Sequence, residues 1–236
     1  MIPAYNEAGR LPHYLAEIRR YFDTQFAGDY EVIVVDDGSA DDLAERLARD
    51  SWPQLRVIRH PVNMGKGAAV RTGALASRGR RLLFADADGA TPIAEELRLR
   101  AAIERGAAVA VGSRLLPGEG VVRRRTWHRA VIGRAFAIVA RWTLGVAVRD
   151  TQCGFKMFLG DVGRSLFAET REQGFLFDLE LLILARRRGL VVTEVPVNWA
   201  DVAGSRMQIG RQSGRIICGL WRLRGRQARL QSSEVP

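Results

Sequence analysis

Cysteine and lysine are scarce in this chain of 236 residues, and each scarcity narrows what it can be. Two cysteines, Cys153 and Cys218, cannot build a disulfide framework, and no second pair stands at metal-binding spacing. A reduced cytosolic setting is therefore expected and a zinc site is not. The three histidines, His13, His60 and His128, stand apart from any ligand spacing and read as surface or core residues. Uninterrupted apolar runs of about 18 residues are missing, and the opening Met1-Ile2-Pro3-Ala4-Tyr5-Asn6-Glu7 lacks a signal-peptide pattern, so neither a membrane span nor export is expected. No Gly-x-Gly-x-x-Gly turn follows a first strand, which disfavours a nicotinamide dehydrogenase. Gly65-Lys66 lacks the preceding glycine and the following Ser or Thr of a Walker loop.

What is present is arginine. Lys66 and Lys156 are the only lysines among 36 basic residues, so a net charge of +10 is carried almost wholly by guanidinium groups. Such a surface suits phosphate, on a nucleotide, a nucleic acid or a lipid headgroup. Hydrophobic residues make up 47% and mean hydropathy is -0.08, an ordinary globular composition with enough apolar residues for a sizeable core.

Short β-branched or apolar runs end in acidic or polar clusters. Glu31 to Val35 leads into Asp36-Asp37-Gly38-Ser39, Arg81 to Ala85 into Asp86-Ala87-Asp88-Gly89, and Ala107 to Val111 into Gly112-Ser113-Arg114. Helical patterns over 10–22, 41–50, 65–78 and 92–105 alternate with these runs. The pattern predicts an α/β sheet, mostly parallel and flanked by helices, with ligands beyond the carboxyl ends of the strands. Two later stretches, 121–148 and 209–230, set arginines against apolar residues and predict amphipathic helices able to lie in a membrane interface. A helix packed on the core with a solvated basic edge has the same pattern.

Asp86-Ala87-Asp88 is the strongest local signal. Two carboxylates one residue apart at the end of a buried strand repel each other and call for a cation. Hard oxygen ligands favour Mg or Mn, with a diphosphate supplying the remaining oxygens. Turn-capping carboxylates produce the same triplet, so its place after an apolar strand carries the reading. Asp36 sits at another strand mouth, where a carboxylate can accept hydrogen bonds from a base or ribose, whereas Ser39 and Asp41 are explained by helix capping. Asn63-Met64-Gly65-Lys66-Gly67 precedes a helix and offers backbone donors and a lysine to a phosphate.

Pro3-Ala4-Tyr5-Asn6-Glu7, Val35 to Ser39, Asn63 to Gly67 and Asp86 to Thr91, in that order, resemble the nucleotide-sugar half of a family 2 glycosyltransferase with the GT-A fold. Gly112-Ser113-Arg114, Arg149 to Lys156, Phe177 to Leu181, Pro196-Val197-Asn198-Trp199 and Gly204-Ser205-Arg206 narrow the resemblance to the polyprenyl-phosphate or dolichyl-phosphate glucosyltransferases. The resemblance implies an inverting transfer of glucose from UDP-glucose to a polyprenyl phosphate, by a peripheral protein on the cytoplasmic face of the cell membrane. It implies a GT-A domain over 1–208, interrupted by the amphipathic segment 121–148 and followed by a basic helix and tail over 209–236.

By the same resemblance, Pro3, Tyr5, Glu7, Asp36, Asp37, Lys66 and Asp86 are expected at the nucleotide, and Asp86 and Asp88 at a divalent metal, Mg or Mn. Arg114 and Arg206 are expected to clamp the acceptor phosphate, with Lys156 assisting. Asp150 and Asp178 would orient acceptor or sugar hydroxyls, and either would be the base if one is used; an ion pair between Asp150 and Lys156 is the structural alternative. Cys153 is expected to be a small buried hydrophobe.

A GDP-mannose-dependent relative is the competing reading within the class. That branch tends to carry a glutamine soon after the second aspartate, whereas Asp88-Gly89-Ala90-Thr91 resembles the glucosyl branch. A nucleic-acid-binding module would also be basic, but the arginines cluster beside apolar faces and no nucleic-acid motif emerges, so no nucleic-acid partner is expected. Only Met1 and Ile2 precede Pro3, where the family has a complete apolar first strand. The expectation is therefore a first strand almost missing, and a natural chain with several more apolar residues before Met1.

Overall fold

The computed structural model describes residues 1–124 and 148–200. Arg206, the helix and tail over 209–236 and nearly all of the 121–148 segment lie outside the described residues. The elements run β1 (Ile2–Ala4), α1 (Leu11–Phe26), β2 (Val32–Asp36), α2 (Leu43–Ala48), β3 (Leu55–Arg59), α3 (Lys66–Ala76), β4 (Arg81–Ala85), a 3-10 turn (Ile93–Glu95), α4 (Glu96–Glu104) and β5 (Val109–Ser113). They continue with β6 (Arg123–Arg124), β7 (Phe155–Leu159), α5 (Gly160–Glu169), α6 (Phe177–Arg187), β8 (Val192–Pro196) and β9 (Trp199–Ala200).

Strands β1, β2 and β3 pair in parallel in the order β1-β2-β3, and a second ladder runs β4-β7-β5-β8. Strand β7 is antiparallel to both β4 and β5, while β5 and β8 are parallel. Met1 joins the two ladders: its amine donates to Leu83 O at 2.7 Å and its carbonyl accepts from Ala85 N at 3.1 Å, the pattern of a parallel pair. The first strand is thus short rather than missing. Pro3 and Ala4, which open the motif at its end, supply two of its three residues and pair with Val35 and Asp36.

Side-chain alternation assigns the helices to faces. Val32 and Val34 of β2, Ala110 of β5, and Phe155 and Met157 of β7 pack with Leu11, Tyr14 and Ile18 of α1, Leu43 and Leu47 of α2, and Leu99 and Ile103 of α4. Leu82 and Phe84 of β4, Val109 and Val111 of β5, and Phe158 of β7 face α3, α5 and α6 through Val70, Ala74, Leu166, Phe167 and Leu179. A sheet covered on both faces explains why its strands read as continuous apolar runs. The third expected strand is shifted two residues along from its apolar run: it begins at Val109, paired with Val192, and extends through Gly112 and Ser113, which pair with Val195 and Pro196. Parallel strands β1, β2, β4 and β5 end at one edge of the sheet. Antiparallel β7 begins at that same edge, so Cys153 and Gly154 arrive beside Asp86.

Phe158 is 1% exposed and meets the Phe167 ring edge-on at 5.5 Å. Phe158→Ala is expected to cost about 3–5 kcal/mol of stability, because the packed sheet and α5 cannot close the space. A urea titration checks this; an unchanged midpoint would contradict the packing described.

Candidate active site

Two adjacent carboxylates leave β2 with opposite tasks. Asp36 is fully buried; one oxygen accepts Ser39 N at 2.9 Å, while Oδ2 has no hydrogen-bond partner. Arg59 Nε approaches that oxygen at 3.3 Å without the alignment of a hydrogen bond. Asp37 is fully engaged: Oδ1 accepts Met64 N at 2.9 Å and lies 2.7 Å from His60 Nδ1, and Oδ2 accepts Gly65 N at 2.8 Å. Expected at the nucleotide, Asp37 instead holds the loop before α3.

The segment after β1 is tied to the segment after β2. Asn6 N donates to Ser39 Oγ at 2.9 Å and Ala40 N donates to Asn6 Oδ1 at 2.8 Å, leaving Tyr5 41% exposed at the edge of the sheet. Pro3 lies within β1 as a strand residue. Both oxygens of Glu7 accept from Arg10, from Nε at 2.7 Å and Nη2 at 2.5 Å, so Glu7 meets a side chain the sequence reading passed over. Arg10 Nη1 is buried without a hydrogen-bond partner. The Arg10 charge is one of those that favour ionised Asp88. Both residues precede α1, so the pair belongs to the turn that leads into the helix and no helical spacing announced it.

Lys66 opens α3 and reaches across to Asp86, with Nζ 2.7 Å from Oδ1. Burial alone would lower the Lys66 pKa, but Asp86, Asp178 and Asp88 together raise it, so the amine is charged. The Asp88 pKa is raised too, which for a carboxylate favours the neutral form: burial and then the Asp86 charge raise it, against the Ala90 amide and the charges of Lys66 and Arg10. Ala90 N donates to Asp88 Oδ1 at 3.1 Å. Among the described residues no three His, Cys, Asp or Glu side chains are grouped to hold a metal. Two neighbouring carboxylates still fit a hard divalent cation, provided phosphate oxygens complete its shell. Gly154 makes the site narrow, since a Cβ there would lie 1.9 Å from Asp86 Oδ2.

Two amides at the start of α3 are already engaged. Gly67 N and Ala68 N donate to the carbonyl of Gln173 at 2.6 and 3.2 Å, so these helix amides are already used. Cβ atoms at Gly65 and Gly67 would lie 2.5 Å from Gln173 O and 2.3 Å from Glu172 O, so these glycines make room for the 171–175 segment. Glu180 holds that segment by accepting Arg171 N and Glu172 N at 2.9 and 2.8 Å. The glycine-rich run thus contributes Lys66 and not these amides.

Lys156 and Asp178, both buried, form a pair at 2.5 Å, and Lys156 Nζ also donates to Cys153 O at 2.6 Å. Burial outweighs Lys156 and Lys66 and leaves the Asp178 pKa raised. Lys156 is thus shut away from an acceptor phosphate, and its partner is Asp178 rather than Asp150. Asp150 pairs with Arg114: Nε donates to Oδ2 and Nη2 to Oδ1, each at 2.8 Å, and Arg114 N adds a third bond to Oδ2 at 2.8 Å. Burial would raise the Asp150 pKa, but Arg114 holds it below the usual carboxylate range. The Arg114 guanidinium also lies over the Trp199 ring at 5.7 Å. Burial pushes the Cys153 thiol up to about 12, which keeps it protonated at neutral pH.

A mixed sheet with helices on both faces and these carboxylates at its edge defines the class as a GT-A fold. The backbone is similar to glucosyl-3-phosphoglycerate synthase from Mycobacterium tuberculosis in complex with UDP, with a TM-score of 0.70, 22% identity, and 95% of this chain and 78% of that one covered. The same enzyme with Mn2+, UDP-glucose and phosphoglyceric acid gives a TM-score of 0.69 at 21% identity over 95% and 78% of the two chains. The chain belongs to glycosyl transferase family 2, whose model matches residues 1–161. Dolichyl-phosphate beta-glucosyltransferase of Drosophila melanogaster is 36% identical over 249 residues, covering 94% of this chain and 76% of the relative. The Saccharomyces cerevisiae protein of that name is 33% identical over 234 residues, covering 90% and 70%.

The buried Lys156–Asp178 pair gives a direct test of the geometry. Asp178→Ala leaves a buried ammonium without its charge partner and is expected to cost about 3–5 kcal/mol, whereas a Lys156→Met/Asp178→Leu double substitution recovers most of that loss. Urea midpoints for the single and double variants decide it; additive losses would contradict the pairing.

Proposed function

We propose that the protein is an inverting glucosyltransferase that moves glucose from UDP-glucose to a polyprenyl phosphate of the dolichyl type at the cytoplasmic face of a membrane. The observation that carries the reading is the cluster of Asp86, Asp88 and Lys66 at the mouth of β4, in a chain similar over most of its length to dolichyl-phosphate beta-glucosyltransferases. The Asp36 oxygen that lacks a hydrogen bond accepts the base N–H beside Arg59, and Tyr5 offers a ring for stacking. Asp86 and Asp88 would hold Mg or Mn, which when bound neutralises charge on the leaving diphosphate. Lys66 adds a positive charge on the same side.

The acceptor is already anionic at neutral pH, so alignment outweighs proton removal. Arg114 supports this role from a fixed orientation, gripped by Asp150, and Arg206 is its proposed companion on the acceptor phosphate. Asp150 and Asp178 have cations as close partners, and we assign them to holding Arg114 and Lys156 rather than to general-base catalysis.

Incubation of the protein with labelled UDP-glucose, Mg or Mn and a polyprenyl phosphate is expected to yield a lipid-linked glucose. Asp88→Asn is expected to lower turnover about 10²-fold or more without unfolding the protein, since it removes charge at the reacting diphosphate. Wild-type turnover in that variant, or no lipid-linked product from the unaltered protein, would overturn the proposal. Arg114→Lys keeps the charge but loses the fork, and is expected to raise KM for the acceptor more than KM for the donor. Equal changes in both constants would place Arg114 elsewhere.

A further inference from the structure

We propose that His60 is a positioning residue for the donor: by fixing Asp37 it sets the loop that delivers Lys66 to Asp86. The inference rests on the donor reading above and deepens it. His60 is buried just beyond β3, its backbone N donating to Asp36 O at 2.8 Å. Its ring spans two elements. Nδ1 lies 2.7 Å from Asp37 Oδ1 at the end of β2, and Nε2 lies 3.0 Å from Thr72 Oγ1 inside α3.

The hydrogen-bond inventory gives each ring nitrogen a match. A carboxylate oxygen accepts, so Nδ1–H donates to Asp37, and Nε2 meets the Thr72 hydroxyl, which can donate or accept. Asp37 then has three donors, the imidazole and the consecutive amides of Met64 and Gly65. Gly65 adopts φ 101°, and the next residue is Lys66, the first of α3. The direction in which Lys66 leaves the loop follows from where Asp37 holds these two amides.

Backbone contacts confine the loop on two further sides. A Cβ on Gly38 would lie 2.5 Å from the carbonyl carbon of Val62, and Gln173 O presses on Gly67 N and Ala68 N from the other side. Neither contact touches the Asp37 carboxylate; His60 does. Without the imidazole, Asp37 is left with only the two loop amides it anchors, so the loop is held less firmly and the Lys66–Asp86 contact at 2.7 Å loosens.

Two near-isosteric substitutions separate the arms of the ring. The amide nitrogen of Asn falls near the place of Nδ1, so His60→Asn keeps the bond to Asp37 and gives up Thr72. The amide of Gln reaches the place of Nε2, so His60→Gln keeps Thr72 and gives up Asp37. UDP affinity is measured by calorimetry with Mg present, alongside hydrogen exchange at the Met64 and Gly65 amides and thermal unfolding. His60→Gln is expected to weaken UDP binding about tenfold and speed exchange at both amides, the size of one lost charge-assisted hydrogen bond, while His60→Asn stays within about threefold. With UDP-glucose the change is expected in KM rather than kcat. Equal UDP affinities for the Asn and Gln variants, unchanged exchange in His60→Gln, or losses that track unfolding temperature would overturn the proposal. Failure of the unaltered protein to bind UDP would sink the donor reading instead, and the exchange contrast would still decide whether His60 holds the loop.

Discussion

Negative charge concentrated at one edge of the sheet is the constraint on which the site depends. Asp36, Asp37, Asp150 and Asp178, all buried, meet the half-buried Asp86 and Asp88 where the parallel strands end and β7 begins, and buried carboxylates are costly unless each is given a partner. The chain answers with one positive or donating group per site: Lys66 for Asp86, Lys156 for Asp178, Arg114 for Asp150 and His60 for Asp37. Both lysines of the chain are used here, their amines 5.4 and 5.8 Å from the centre of the Phe84 ring. A compact ammonium suits such a crowded place, whereas the planar fork of Arg114 suits a bidentate grip.

Against that background Asp36 and Asp88 stand out, because each is left with capacity. Asp36 keeps an oxygen without a hydrogen-bond partner, and Asp88 is held by a single amide while burial and Asp86 raise its pKa. Groups left incompletely paired in an otherwise paired cluster are the ones ready to meet a ligand. Asp37 shows the contrast: next in sequence to Asp36, it has every near donor it needs from the protein itself.

The layered sheet was legible because a buried parallel strand leaves an unmistakable run, and Arg81 to Ala85 begins and ends where its run does. The aspartates of β2 and β4 were legible for the same reason, since the end of such a run is where a ligand can reach. What escaped the sequence were partners brought together over long separations. The register of β7 puts Lys156 on the face of the sheet that α6 covers, and so selects Asp178 over the nearer Asp150. The amides that open α3 looked free to bind phosphate until Gln173, far along the chain, was found against them. His60 has no neighbours at ligand spacing because its partners, Asp37 and Thr72, come from different elements.

Strand β7 runs against both of its neighbours, so the chain reaches the edge of the sheet there while entering a strand instead of leaving one. Its first contact is backbone on backbone, Gly154 O accepting Asp86 N at 2.9 Å, with no side chain between them to act as a cushion. Asp150, which grips Arg114, precedes that glycine by only a few positions. One short stretch of chain therefore carries both the carboxylate that grips Arg114 and the carbonyl that meets Asp86, so the two sides of the proposed reaction are set by the same piece of backbone.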